Sequence, residues 1–181
     1  MDDRRRRFEA QVLPHLDAAY RFARWLSRSP DSVDDIVQEA MLRAFRAFDG
    51  LRGSDAKAWL LAIVRNCHLN ALQQQARHAQ VPLPEEFGTH TEHAQLADMS
   101  DPESASIRHD EQRDLAALLA ELPENFREIL VLREIEDMGY REISMATNVP
   151  LGTVMSRLAR ARAALKRQWL NRCEAEPSAM P

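Results

Sequence analysis

At 181 residues the chain has room for one ordinary domain or two small ones, and a hydrophobic share of 45% with only five glycines favours helices throughout. Two cysteines, Cys67 and Cys173, lie far apart without a CxxC pair, which excludes a disulfide framework and a thiolate zinc site. No apolar run approaches the roughly 18 residues a bilayer crossing needs, and MDDRRRR leads into a polar helix rather than a signal-peptide core, so a cytoplasmic location is expected despite an unremarkable net charge of −4.

Phe8, Val12, Leu16, Ala19, Tyr20, Ala23 and Leu26 recur at three- and four-residue intervals, which describes one apolar stripe on a helix running to Ser27. Pro14 falls inside it and marks either a late start or a kink, since its ring removes a backbone donor. Ser29, Pro30 and Asp31 break the chain, and Ser32 with Asp35 three residues on offers a capping box for the next helix. In that second helix Ile36, Val37, Ala40, Met41, Ala44, Phe45 and Phe48 repeat in pairs every four residues. Asp31, Asp34, Asp35 and Glu39 crowd its N-terminal end while Arg43 and Arg46 lie toward the other, as the helix dipole favours. Asp35, Gln38 and Glu39 point away from the apolar side, where periodicity alone makes them dipole-matched solvent groups.

The loop AFDGLRGSDA holds two glycines and a Ser-Asp start signal, and a third helix follows with Trp59, Leu60, Ile63, Val64 and Cys67 as its core side. Arg65, Asn66, His68 and Asn70 lie on or beside its polar side, rich in hydrogen-bonding capacity and poor in negative charge. The stretch HAQVPLPEEFGTHTEHAQLADMSDPESASIRHDE then carries three prolines and little periodicity, and reads as a flexible tether. Between Glu85 and Glu111 eight acids face only Arg108, a net charge of −7. His78, His90, His93 and His109 include an HxxH spacing but no helical frame or carboxylate cage, so no metal and no cofactor is expected.

Helical periodicity returns with Leu115, Leu118, Leu119 and Leu122. Pro123 closes that helix or opens the next, whose Phe126, Ile129, Leu130, Leu132 and Ile135 form a support helix. From Met138 to Arg162 the chain reads as helix, three-residue turn and second, basic helix. Ile143 and Ala146 face inward and small Ser144 permits close approach. Asn148, at the middle of the turn Thr147–Val149, suits a positive φ. Pro150 restarts the chain near the helical φ, and Thr153 offers a capping hydroxyl. Val154 and Leu158 share the inner face, while Met155, Ser156, Arg157, Ala159 and Arg160 share the outer one. Between Pro150 and Arg172 six basic residues meet no acid, so this end is strongly positive although the chain is acidic on average. Such a helix, apolar behind and lined by Arg, Ser and small residues in front, is suited to a DNA major groove. The tail beyond Trp169 lacks periodicity and is expected to fray.

The segment DDIVQEAMLRAFRAFDGLRGSDAKAWLLAIVRN resembles the polymerase-binding and promoter-melting domain of bacterial sigma factors, specifically the extracytoplasmic-function (ECF) group. LPENFREILVLREIEDMGYREISMATNVPLGTVMSRLARARAAL resembles that group's C-terminal promoter-binding domain. The resemblance implies an all-α protein of two small helical domains joined by a flexible acidic linker, the second a helix-turn-helix, winged-helix-like domain. Its expected bounds are 1–77 for the first domain, 78–112 for the linker, 113–172 for the second domain and 173–181 for a disordered tail.

By the same resemblance Asp35, Gln38 and Glu39 match a surface for the coiled coil of the largest subunit of core RNA polymerase, with the flap as a second contact. Leu51, Arg52, Gly53, Ser54, Asp55, Arg65 and Asn66 match positions around promoter −10 DNA, where a base is flipped out of the stack. Thr153, Met155, Ser156, Arg157, Ala159 and Arg160 match the helix that reads the −35 duplex. The acidic linker is expected in the polymerase's RNA path, and an anti-sigma factor is the implied restraining partner. The chain departs from the pattern at Met155, where a basic residue is common, at Asn148, where a turn glycine is usual, and at Gln73 to Gln75, where arginines often follow. The expected role is therefore a non-enzymatic sigma factor, with a stand-alone helix-turn-helix regulator, binding operator DNA without polymerase, as the alternative.

Overall fold

The computed structural model describes residues 2–27, 31–51, 55–79 and 115–175. Among these residues there is no strand, so the helix-turn-helix is carried by helices alone. In chain order they form α1 (Asp2–Val12), a 3-10 turn (Leu13–His15), α2 (Leu16–Leu26), α3 (Asp31–Ala47), a 3-10 turn (Phe48–Gly50) and α4 (Ala56–Ala79). After the undescribed segment come α5 (115–121), α6 (Glu124–Leu130) continuing into a π turn (Val131–Ile135), α7 (Tyr140–Thr147) and α8 (Leu151–Ala175).

Of the two readings of Pro14, the kink is realised: α1 stops at Val12, the proline opens a 3-10 turn, and α2 resumes at Leu16. The break resets the helical phase, and this corrects the expected stripe. Tyr20 ends up 40% exposed, while Phe22, absent from that stripe, is wholly buried together with Ala18, Ala19, Ala23 and Leu26. Phe8 of α1 meets Phe45 and Phe48 edge-on at 5.2 and 5.4 Å, the geometry that sets a ring's positive edge against its neighbour's face. Arg4 lies over the Phe45 ring at 4.8 Å and pairs with Asp49 at 3.0 Å, pinning α1 across the end of α3.

In α3 the expected core residues Ile36, Val37, Ala40 and Ala44 are buried, as is Phe48 in the 3-10 turn that follows, whereas Phe45 is 38% exposed. Ser32 lies one residue inside that helix, its hydroxyl against that of Ser27, and not at the capping position. Helix α4 is central. Leu60, Val64 and Cys67 are buried as expected, but so are Ala58, Leu61 and His68 on other faces. Apolar residues all round mark a helix packed on more than one side, and α4 indeed packs against α2 and α3 and also against α7.

Helix α5 buries Leu118 and Leu119 and leaves Leu115 41% exposed. Pro123 precedes α6, its carbonyl accepting the Phe126 and Arg127 amides. The π turn ends at Glu136, and Asp137 at φ 49° reverses the chain toward α7. Helix α8 runs on to Ala175, so residues 173–175, expected in a frayed tail, continue the helix, which Glu174 and Ala175 suit by propensity. Residues 78 and 79 of the expected linker continue α4, and the linker beyond residue 79 up to residue 112, with its histidines at 90, 93 and 109, lies outside the described residues.

The buried apolar residues of the two halves belong to one continuous core, reaching from Phe8 to Ala164. Phe22→Ala should lower stability by about 3–5 kcal/mol, the usual cost of emptying a phenylalanine site, whereas Tyr20→Ala should change it by less than about 1 kcal/mol. Urea unfolding of both variants, followed by circular dichroism, checks the reassigned face.

Candidate nucleic-acid interface

The helix pair α7–α8 is shaped by its backbone before any side chain meets a ligand. Gly139 precedes α7 with φ −68° and ψ 158°, and its amide donates to the Glu142 carboxylate, which satisfies one free donor at the helix start. Asn148 takes the left-handed conformation expected of it, φ 54° and ψ 41°, one residue beyond α7. The Ser144 hydroxyl donates to the Val149 carbonyl at 2.6 Å and the Val149 amide returns to the Ser144 carbonyl at 3.3 Å, locking the turn from both sides. The Pro150 carbonyl accepts the Thr153 and Val154 amides at 2.8 and 3.0 Å. Thr153 therefore sits inside α8 as its third residue rather than at the cap.

Val154, Leu158, Ala161 and Ala164 bury the inner face of α8. Met155, 53% exposed, and the exposed Ser156, Ala159 and Arg160 form the outer face, as expected. Arg157 differs. It is half-buried and close enough to Glu128 to favour that group's ionised form, so it is only partly offered to a ligand. Arg160 donates to the Ser156 carbonyl at 3.2 Å, and Arg162 pairs with Glu134 at 2.6 Å.

In the first half Asp35 and Gln38 are exposed on α3, and half-buried Glu39 pairs with Arg43 at 2.6 Å. Residues three and four apart share a helix face, so these three form one polar surface. Of the residues matched to −10 DNA, Leu51 is half-buried against the core and Asp55 precedes α4; Arg52, Gly53 and Ser54 lie outside the described residues. Asn66 is exposed. It stands about 16 Å up α4 from Asp55 at 1.5 Å per residue, so the helix does not bring these two into one cluster.

What the sequence did not signal is a charged seam between the halves. The Glu136 side chain is completely buried and receives Arg21 through both oxygens at 2.9 and 3.0 Å, with Lys57 at 3.0 Å. Arg65 pairs with buried Glu128, and His68 meets Glu124 at 3.2 Å. Burial raises the Glu128 pKa, against the pull of Arg65. Burial also raises that of Asp55, aided by a hydrogen bond to Glu142 of α7, so this acid pair is a repulsive element of the seam. The basic partners precede their acids by between 56 and 115 residues, beyond any local periodicity.

Family descriptions match both halves: sigma-70 region 2 over residues 12–78 and sigma-70, region 4 over residues 112–165. The ECF RNA polymerase sigma-E factor of Escherichia coli K12 is 34% identical over 138 residues, covering 74% of this chain and 71% of that protein. This chain belongs to the ECF sigma factors. The sigma factor SigE of Mycolicibacterium smegmatis is likewise 34% identical to this sigma factor, over 157 residues that are 86% of this chain and 58% of that longer relative. Among solved structures, the Bartonella quintana sigma factor RpoE in complex with the anti-sigma factor NepR superposes with a TM-score of 0.69 at 27% identity, covering 88% of this chain and 94% of that one. CnrH in complex with the cytosolic domain of CnrY shares the fold, with a TM-score of 0.62 at 23% identity over 96% of this chain and 91% of that one.

His68 gives the seam of this sigma factor a pH dependence. Burial lowers its pKa, and Arg127 and Arg65 act the same way against the opposing Glu124; His15 is lowered by burial and by Lys57. Both histidines take up a proton more readily when unfolded, so the stability they contribute is present above pH 6.5 and lost as pH falls below it. Thermal midpoints should therefore drop between about pH 7.5 and about pH 5.5, and His68→Gln should flatten that drop more than His15→Gln.

Proposed function

We propose that this sigma factor holds core RNA polymerase through Asp35, Gln38 and Glu39, captures −10 DNA with the Leu51–Asp55 loop, Arg65 and Asn66, and reads the −35 duplex with α8. The observation that carries this reading is the order of two matched modules in one chain, each with its polar face exposed: Asp35 and Gln38 on α3, Asn66 on α4, and Met155, Ser156, Ala159 and Arg160 on α8. A stand-alone operator-binding regulator would need only the second module.

The physical division of labour follows from the side chains. A helix of this diameter enters the major groove, where Arg160 has guanidinium donors for a guanine edge and Ser156 a hydroxyl for either partner. Met155 supplies apolar contact in place of a phosphate-binding cation. Extruding a −10 base costs a few kcal/mol, which an amide such as that of Asn66 offsets through hydrogen bonds to the exposed base edge. Neutral Gln73, Gln74 and Gln75 on the last turns of α4 give less counterion release than arginines would. The protein acts by placement, with no reaction of its own, and works in the cytoplasm beside its polymerase. A restraining anti-sigma factor is its further partner, in keeping with the complex in which the Bartonella relative was solved.

Run-off transcription with purified core polymerase and a promoter library tests the whole reading, and no transcript from any template overturns it. Asp35→Arg should abolish copurification with core enzyme while leaving duplex −35 binding intact, a pair of pull-down and gel-shift measurements. Arg160→Ala should weaken −35 binding by about 1–3 kcal/mol if the contact is bidentate, read by gel shift at moderate salt.

A further inference from the structure

The outer face of α8 is not uniformly polar. Leu151, Met155 and Ala159 follow one another at four-residue intervals, all of them exposed, and so form a narrow apolar row along that face. Gly152 lies beside the row, three residues before Met155 and therefore on the same side of the helix. Glycine costs a helix stability relative to alanine, because its unfolded chain has more freedom to lose. Among the described residues nothing demands it: Gly152 lies within regular helix, and a Cβ built there would meet no atom within 4 Å. The missing side chain therefore serves whatever comes to lie in front of the helix.

The chemistry of that face names its occupant. Between Pro150 and Arg172 six basic residues meet no acid, which makes a polyanion the complementary partner. In the major groove of duplex DNA the base edges carry hydrogen-bond donors and acceptors, and the apolar group that stands out among them is the C5-methyl of thymine. An apolar row set in a cationic face matches that surface, and a bare glycine beside it lets the helix backbone come close to the base edges.

We infer that Leu151 and Met155 are specificity residues that dock the C5-methyl groups of thymines in the −35 duplex, and that Gly152 provides the clearance for their approach. Residues three or four apart on a helix that enters the groove address successive base pairs, so the two thymines lie in adjacent pairs. The inference deepens the proposed −35 reading and rests on it: the site is the same, and the base chosen is what is added. Met155 is the deciding residue. It has neither a charge for a phosphate nor a donor for a guanine, and its unbranched, polarizable thioether adapts to a methyl surface.

The test uses the full chain and short duplexes. Selection from duplexes with a randomised centre, read by sequencing, gives the preferred site, which should hold two adjacent thymine-bearing pairs. Each thymine of that site is then replaced singly by deoxyuridine, which keeps every hydrogen-bonding group and removes only the methyl, and affinity is read by fluorescence anisotropy. Deoxyuridine should cost about fourfold at each of these positions, the fold-change that burial of one methyl group supplies. Met155→Ala should erase that cost at one position and keep it at the other, and Leu151→Ala should do the reverse. Met155→Arg should change the selected base at its position from thymine to guanine. Gly152→Ala should raise the thermal midpoint while weakening duplex binding, a pairing that loss of folding could not give.

A selected site without adjacent thymine-bearing pairs, or one in which deoxyuridine costs nothing, overturns the methyl docking and leaves the −35 reading standing. A cost that persists unchanged in both alanine variants means that the methyls act through duplex shape, and overturns the docking as well. Gly152→Ala binding as tightly as the natural chain overturns the clearance role. Enrichment of no duplex at all overturns the −35 reading itself, and the docking with it.

Discussion

The arrangement of the whole molecule depends on α4 being buried on more than one side. Its Leu60, Val64 and Cys67 complete the core with α2 and α3, and a second contact with α7 joins that core to the other half. Helix α2 adds to this by touching α6 and its π turn, so the second half is held along both helices. Because Leu61 and Ala58 are also apolar and wholly buried, the two halves share one core, and polar residues at its rim are forced into the low-dielectric seam.

That forcing explains the ion pairs. An isolated buried carboxylate such as that of Glu136 would be very costly, and pairing with Arg21 and Lys57 is what makes its burial tolerable. Such pairs seldom add much net stability, because desolvation offsets attraction. They give orientation instead: the halves meet with cation opposite acid in one register. The exception, Asp55 against Glu142, shows that the match is incomplete, since burial and a neighbouring acid both raise the Asp55 pKa.

The helix pair α7–α8 is held in place for a different reason. Its turn is set by backbone geometry, Asn148 in the left-handed region and Ser144 bonded to Val149, while Val154, Leu158, Ala161 and Ala164 hold α8 to the body. Arg160, Ser156 and Met155 therefore project from a fixed platform.

Local periodicity and turn chemistry made much of this legible from residues alone: the helices, the inner face of α8, the positive φ at Asn148 and the outward placement of Met155, Ser156, Ala159 and Arg160. Those features are decided within a few residues, where a 3.6-residue repeat and a side chain's own steric limits dominate. Where the reading slipped, the cause was longer-ranged. Tyr20 and Phe22 exchanged roles because the kink at Pro14 reset a helical phase. His68 and Arg65 left the polar side because α6 came to lie over them. The seam of Glu136 with Arg21 and Lys57 has no local signature, since its partners lie up to 115 residues apart and an acid destined for burial beside a cation looks the same in one dimension as an acid facing water. Only packing in three dimensions decides which it is.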